Sequence, residues 1–421
     1  MKFSVKAATW VVAMSFIAGA AMAEDKPTAE VMHWWVSGGE SAAIKEVAKA
    51  YEAAGGVWKD NATAGGEVAI PAIIARITGG NPPTAAQMPL GKQLDDLVAQ
   101  GLLAPLDDAA KETGFLDALP ETFKNAVVYP DGHMYALPIN DHGHNWVWFN
   151  NQVLADAGVK APVTWDDLFA DLDAIKAKGN AIPLAVGAQN WQLGIMQAAI
   201  VLTKEGSGVY YKVFKDHDVE AVKSPEFKDA MEAFLKLRDY TDAGSANREW
   251  NVTTNMVITG KAGFQFMGDW AKGEFLAAGQ TPGKEFGCAL LGNGDGAVNF
   301  QMSSDAIIFP VNSAAGQPEA QALLEKTIMS KDVQVAFNLK KGSVPARLDV
   351  DTSQLDVCSK AGIDAMQKPE QRISDLDFIA TPDFIGAQRD LAAQAWADPS
   401  MTADQLVEAF AKIVADEKAN D

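Results

Sequence analysis

The sequence predicts an α/β protein built in two lobes. Short apolar strands alternate with amphipathic helices along the chain. Removing the first 23 of the 421 residues leaves about 398, too many for one compact core. A third observation concerns chemistry. The run His33-Trp34-Trp35-Val36-Ser37-Gly38-Gly39-Glu40-Ser41 sets two adjacent indoles and a carboxylate around a glycine pair, just where a helical pattern begins.

The first 23 residues read as an export signal. Lys2 and Lys6 form a positive start, Ala7 to Ala20 is mostly small and apolar, and Ala21-Met22-Ala23 suits cleavage after Ala23. The stretch is short for a membrane span, and no cysteine follows it as a lipid anchor would need. No later stretch reaches about 18 uninterrupted apolar residues, so a soluble exported protein is expected. The formal charge of −20 becomes about −22 once two lysines leave with the signal. Such a surface argues against nucleic acid or an anionic membrane as partner, and its plain reading is solubility.

The elements follow in order. Val31-Met32-His33-Trp34 reads as the first strand, and Ala42 to Ala53 as a helix with Ile44, Val47, Ala48 and Tyr51 on one stripe. Ala69 to Thr78 is a second helix, broken by Gly79-Gly80-Asn81-Pro82-Pro83. Ala85 to Met88 is a short strand. Lys92 to Gln100 is a third helix, with Gly101 placed to end it. Thr164 is an N-cap for the helix beginning Trp165-Asp166-Asp167, whose acids favour the positive helix end. Gly260 to Trp270 reads as turn, strand and loop, and Asp398 to Ala419 as an amphipathic helix.

The two cysteines, Cys288 and Cys358, are far apart and form no Cys-x-x-Cys motif. In an oxidising compartment a bridge is expected, with two buried thiols as the alternative. His142 and His144, with Asp141 and His133 nearby, raise the question of zinc, but no second ligand pair accompanies them and no metal is expected. No cofactor motif appears. There is no Gly-x-Ser-x-Gly, P-loop, strand-linked Gly-x-Gly-x-x-Gly or His-Glu-x-x-His, so no enzyme is expected. Rings beside a carboxylate suit a carbohydrate, whose C–H faces stack on indole and whose hydroxyls donate to carboxylate.

Seven segments in order resemble the extracytoplasmic solute-binding proteins of ABC sugar importers, and within them the glucose/mannose-binding branch. They are Trp34-Trp35 with Ser37-Gly38-Gly39-Glu40, then Gly79 to Pro83 with Gln87, then Gly101 to Asp108. Next come Asn140 to Trp146 and Thr164-Trp165-Asp166, then Gly260 to Trp270, and last Lys341 to Asp349. The resemblance spans the mature chain and implies a two-lobed periplasmic-binding-protein fold with the ligand between lobes. It implies one lobe of 24–139 plus 286–344 and another of 140–285 plus 345–421. It further implies a monomeric periplasmic protein that closes on a sugar and delivers it to a membrane permease. Relatives carry a cysteine pair near these positions, which favours the Cys288–Cys358 bridge. An oligosaccharide or amino sugar is the alternative ligand, and a glycoside hydrolase the alternative of another class.

The implied sugar contacts are Trp34, Trp35, Trp250 and Trp270 as stacking rings, with Trp191 a further candidate. Glu40, Gln87, His142, Asp305, Lys341 and Asp377 are the implied polar contacts. Each has a plainer reading. The indoles could be core, Glu40 could serve the helix dipole, and Asp305 and Lys341 could be ion-paired. Both Trp34 and Trp35 can face a ligand only if their strand ends there, since neighbours on a strand point to opposite faces. Two positions depart from the glucose-binding pattern. Pro89 stands where relatives have lysine, and Asp377 stands where relatives place a sugar-contacting histidine. His144 stands where arginine is common.

Overall fold

Strand β1 (Thr28–His33) begins half-exposed and ends fully buried, because its last residues enter the middle of a sheet. The first helix, Gly38–Ala53, returns the chain to β2 (Val57–Ala62), and a second, Gly66–Thr78, returns it to β3 (Ala85–Pro89). Both β2 and β3 run parallel to β1, as such helical crossovers require. In this first sheet the order is β2-β1-β3-β11-β4, with β4 spanning Ala136–Pro138 and β11 spanning Asp305–Ile308. Strand β11 runs antiparallel to both β3 and β4.

A second sheet has the order β7-β8-β6-β9. Its strands are β6 (Trp146–Asn150), β7 (Ile182–Leu184), β8 (Ala262–Phe266) and β9 (Phe286–Leu290). Along β6 the side chains alternate between two hydrophobic clusters: Trp146 and Trp148 join one, Val147 and Phe149 the other. Between the two sheets lies a small third one, in the order β12-β10-β5, made of Arg372–Ser374, Phe300–Ser303 and His142–Gly143. The chain passes through it twice, as β4-β5-β6 and again as β9-β10-β11. The architecture is mixed α/β, two main sheets joined through a small one. The computed structural model describes residues 26–292 and 298–420, and the export segment 1–23 lies outside the described residues.

Several elements sit where the sequence puts them. Thr164 caps its helix reciprocally with Asp167. Gly101 has φ +65 and donates its N–H to the Val98 carbonyl at the end of a helical turn. Other boundaries move. The first helix starts at Gly38 rather than Ala42, because tertiary contacts hold two glycines that have poor helical propensity. The Lys92–Gln100 helix is a 3₁₀ turn, Lys92–Leu94, followed by a short α-helix, Asp95–Ala99. The C-terminal helix begins at Ala403, because Asp398 turns back to accept from Ser400 N at 2.9 Å and from its hydroxyl at 2.6 Å.

Cys288 on β9 is bonded to Cys358 in the helix Val357–Met366, closing a separation of 70 residues. A loop of that length is worth about 4 kcal/mol in the chain-entropy model. Replacing both cysteines by serine should lower the unfolding free energy by about 2–4 kcal/mol. Reductant should do the same to the wild type in urea melts, and should leave the double variant unchanged.

Candidate functional site

The crossing segment after β4 carries Asn140, Asp141, His142, His144 and Asn145, all buried. Five polar side chains in a buried stretch need partners, and most find them on other elements. Asn140 accepts from Asp305 N at 2.8 Å through Oδ1, while its Nδ2 donates to Asp305 Oδ2 at 3.1 Å. His142 lies between two carboxylates. Its Nε2 meets Asp305 Oδ2 at 2.9 Å, and its Nδ1 bonds Asp269 Oδ1. Asp269 also accepts from Gly143 N at 2.9 Å, so it pins the crossing strand to the start of the helix Trp270–Ala277.

Burial opposes charge on His142, but Asp269 and Asp305 outweigh it and lift the ring to about 9. The imidazole is therefore a cation at neutral pH. Asp305 answers in kind. Burial pushes its carboxyl up, yet the His142 and Lys341 charges and the bonds to His142 and Asn140 hold it well below the usual range. Asp141 goes the other way, raised by burial and then by the nearby Asp269 charge.

Gln87, at the centre of β3, is fully buried and spent on the protein. Its Nε2 donates to Asp305 Oδ1 at 2.9 Å, and its Oε1 accepts from Trp34 N at 3.0 Å. Strand β1 does end at His33, but the two tryptophans part company. Trp34 is half-buried with its ring beside Gly66. Trp35 is 1% exposed and packs edge-on against Phe337, with ring centroids 5.1 Å apart. In this conformation the turn after β1 sends Trp35 inward, away from the side that Trp34 takes.

Glu40 and Lys341 meet each other. Lys341 ends the helix Lys331–Lys341 and donates through Nζ to Glu40 Oε1 at 3.0 Å, both side chains being buried. Ser37 donates to the other Glu40 oxygen at 3.1 Å. Thus the partner of Lys341 is Glu40, not Asp305. The same ammonium lies 5.7 Å from the Trp270 ring centroid.

Trp270 is where the candidates converge. The rings of His142 and His144 approach it edge-to-face at 5.2 and 5.3 Å, and Trp191 lies tilted at 6.3 Å. Gly268 admits Trp270 itself, since a Cβ there would lie 2.1 Å from the indole. Trp250 heads the helix Trp250–Ile258, half-buried, and no ring contact joins it to Trp270 among the described residues. The indole beside Trp270 is that of Trp191.

His144 bonds Asp375 Oδ2 at 3.0 Å, and Gln301 Nε2 donates to the same oxygen at 2.7 Å. Asp375 is held low despite burial by the His144 imidazole. Asp377 is pushed up to about 6 by burial and by the Asp375 charge. Its backbone carbonyl presses on Gly91, where a Cβ would sit 2.1 Å away, while Pro89 pairs in register with Asp305. The two departures from the glucose-binding pattern therefore lie on one side of the site. Sequence reasoning did not single out Asn140, Asp269 or Asp375. The polar run 140–145 was a usable signal for the first, whereas Asp375 carries none. Both His142 nitrogens are occupied by carboxylates, which leaves neither for a metal.

His142 gives a testable pH dependence. A ring raised from its ordinary value near 6.5 to about 9 binds more protons folded than unfolded between those limits. Its stabilisation is complete below about pH 6.5 and is lost as pH rises through 9, by about 3 kcal/mol at most. Melts from pH 6 to 10 should show His142→Gln falling less steeply than wild type. Parallel curves would refute the bridge as a charged one.

Comparison with known proteins bears on this geometry. The profile of the family described as bacterial extracellular solute-binding protein matches residues 35–326. A probable sugar-binding periplasmic protein of Brucella suis is 42% identical over 362 residues, which cover 85% of this chain and 84% of the relative. One of the same description from Mesorhizobium japonicum is 37% identical over 405 residues, 94% of this chain and 96% of the relative. Among solved structures, a chitin oligosaccharide binding protein superposes with TM-score 0.79 at 20% identity, covering 94% of this chain and 100% of the other. A bacterial solute receptor with an exclusive preference for β-D-galactopyranose superposes with TM-score 0.78 at 18% identity, covering 93% and 98%.

Proposed function

The chain belongs to the bacterial extracellular solute-binding protein family, and from that premise we propose that it captures a sugar, a hexose such as glucose or mannose, and delivers it to the permease of an ABC importer. In this reading the mature protein is a periplasmic monomer. One lobe is 24–139 with 305–344 and the other 140–290 with 345–421, the expected boundary at 286 moving because β9 pairs with β6 in the second sheet, and β5, β10 and β12 lie where the chain crosses. The relatives named as sugar-binding and periplasmic support that reading. The observation that carries it is the convergence on Trp270 of Glu40–Lys341 and Asp305–His142 from separate elements. An indole ringed by charge-assisted hydrogen-bonding groups suits a pyranose, which needs an apolar face and polar edges.

Binding rather than hydrolysis fits the carboxylates. A glycosidase needs one protonated acid beside one ionised carboxylate. Here Asp305 is held ionised and Glu40 is committed to Lys341. Specificity would rest on Trp34, Trp270, Glu40, His142, Asp305 and Lys341, with Gln87 holding Asp305 in place. A second reading, an amino sugar, is favoured by one observation. Asp377 sits beside Asp375, near Asp305, and adds negative charge at that edge.

Refolded, sugar-free protein should be titrated with glucose, mannose, galactose, glucosamine and α- and β-linked disaccharides, by tryptophan fluorescence and calorimetry. Trp270→Ala and Asp305→Ala should each weaken binding of the best ligand by more than about 1 kcal/mol. Trp35→Ala should instead cost about 3–5 kcal/mol of stability, as a cavity in the core does. A panel with no ligand, or pocket variants binding as wild type, would sink the assignment.

A further inference from the structure

Three glycines meet where the helix Trp270–Ala277 packs against both the first helix and the helix Lys331–Lys341, which also pack on each other. A Cβ at Gly39 would lie 2.5 Å from the Gly273 carbonyl carbon. One at Gly273 would lie 2.7 Å from the Lys341 carbonyl oxygen, and one at Gly342 would lie 2.5 Å from the Asp269 carbonyl oxygen. Backbone touches backbone along this seam, with no room for any side chain.

The seam also supplies a missing cap. The first N–H groups of a helix have no partner within it. Ser37 occupies the N-cap position of the first helix, yet its hydroxyl donates to Glu40 and caps nothing. Gly39 N donates instead to Glu274 Oε1 at 2.7 Å, from 235 residues along the chain. A carboxylate at that positive helix end is stabilising. Glu274 lies one turn beyond Trp270, and Gly39 adjoins Glu40, so the contact sits directly behind the sugar-facing groups.

We propose that Glu274 and the Gly39–Gly273–Gly342 seam form the latch that holds the lobes closed, so that Glu274 sets ligand affinity without touching ligand. This rests on the two-lobe sugar-binding reading above, in which Gly39 and Gly342 belong to one lobe and Gly273 and Glu274 to the other. The contact exists only with the lobes together, so it favours the closed conformer and nothing else. Weakening it reduces the closed fraction and multiplies every dissociation constant by one factor.

Glu274→Gln keeps the shape and removes the charge. It should weaken binding about tenfold for every sugar in the panel, leaving their rank order and the ligand-free melting temperature little changed. Gly273→Ala should abolish the compaction on ligand addition seen by small-angle scattering. A changed rank order in Glu274→Gln would make it a contact residue and overturn the latch. So would either variant matching wild type in both affinity and compaction. If wild type binds no sugar in the panel, the function falls separately. The latch is then read from spin labels at Lys45→Cys and Ala278→Cys, both exposed positions. A smaller short-distance population in Glu274→Gln than in the wild-type background supports it, and an equal one overturns it.

Discussion

A cationic imidazole between two carboxylates is the joint on which the other contacts depend. Buried charge is tolerated only when paired and hydrogen-bonded. Asp269 and Asp305 come from different sheets' neighbourhoods and would repel each other without His142 between them. Each then passes its position on. Asp305 fixes Gln87, which holds the backbone at Trp34. Asp269 fixes Gly143 and so the strand that enters the second sheet, and it stands at the head of the helix that presents Trp270.

This arrangement favours definition over stability. Ion pairs in a dry interior return little net free energy against well-packed apolar groups, but losing one partner leaves a charge stranded. Glu40–Lys341 and the His142 bridge thus keep their side chains in single positions before any ligand arrives. Preorganised polar groups lose less freedom on binding, which is where affinity for a small, hydroxyl-rich ligand is won.

The local signals in the chain were legible where the cause was local. Thr164 with Asp167, Gly101 after a helical turn, and the end of β1 all follow from nearest neighbours. The bridge between the two cysteines was expected from an oxidising compartment and favoured by resemblance, and the disulfide is present. What the sequence hid was set by contacts far along the chain. Gly38 and Gly39 read as lying ahead of the helix because nothing nearby shows that Glu274 packs on the first and Gly273 on the second. Trp35 looked like Trp34's equal, and its contacts with Phe337 and the His33 ring set it apart. Trp191 reaches Trp270 because helix packing, not spacing, decides which indole does. The run from Asn140 to His144 showed its polarity but not its partners, since its histidines bond Asp269, Asp305 and Asp375 far along the chain.

The disulfide has a topological consequence. Both of its cysteines lie at the second sheet's side, on β9 and on the helix that packs against β9 and β10. Between them the chain leaves, contributes β11 to the interior of the first sheet between β3 and β4, builds the helix that carries Lys341, and comes back. That excursion is a covalent ring. A protease that cuts once within it opens the ring but releases no fragment while the bridge stays oxidised: β11 keeps one covalent connection to the rest, and the nicked protein remains one molecule.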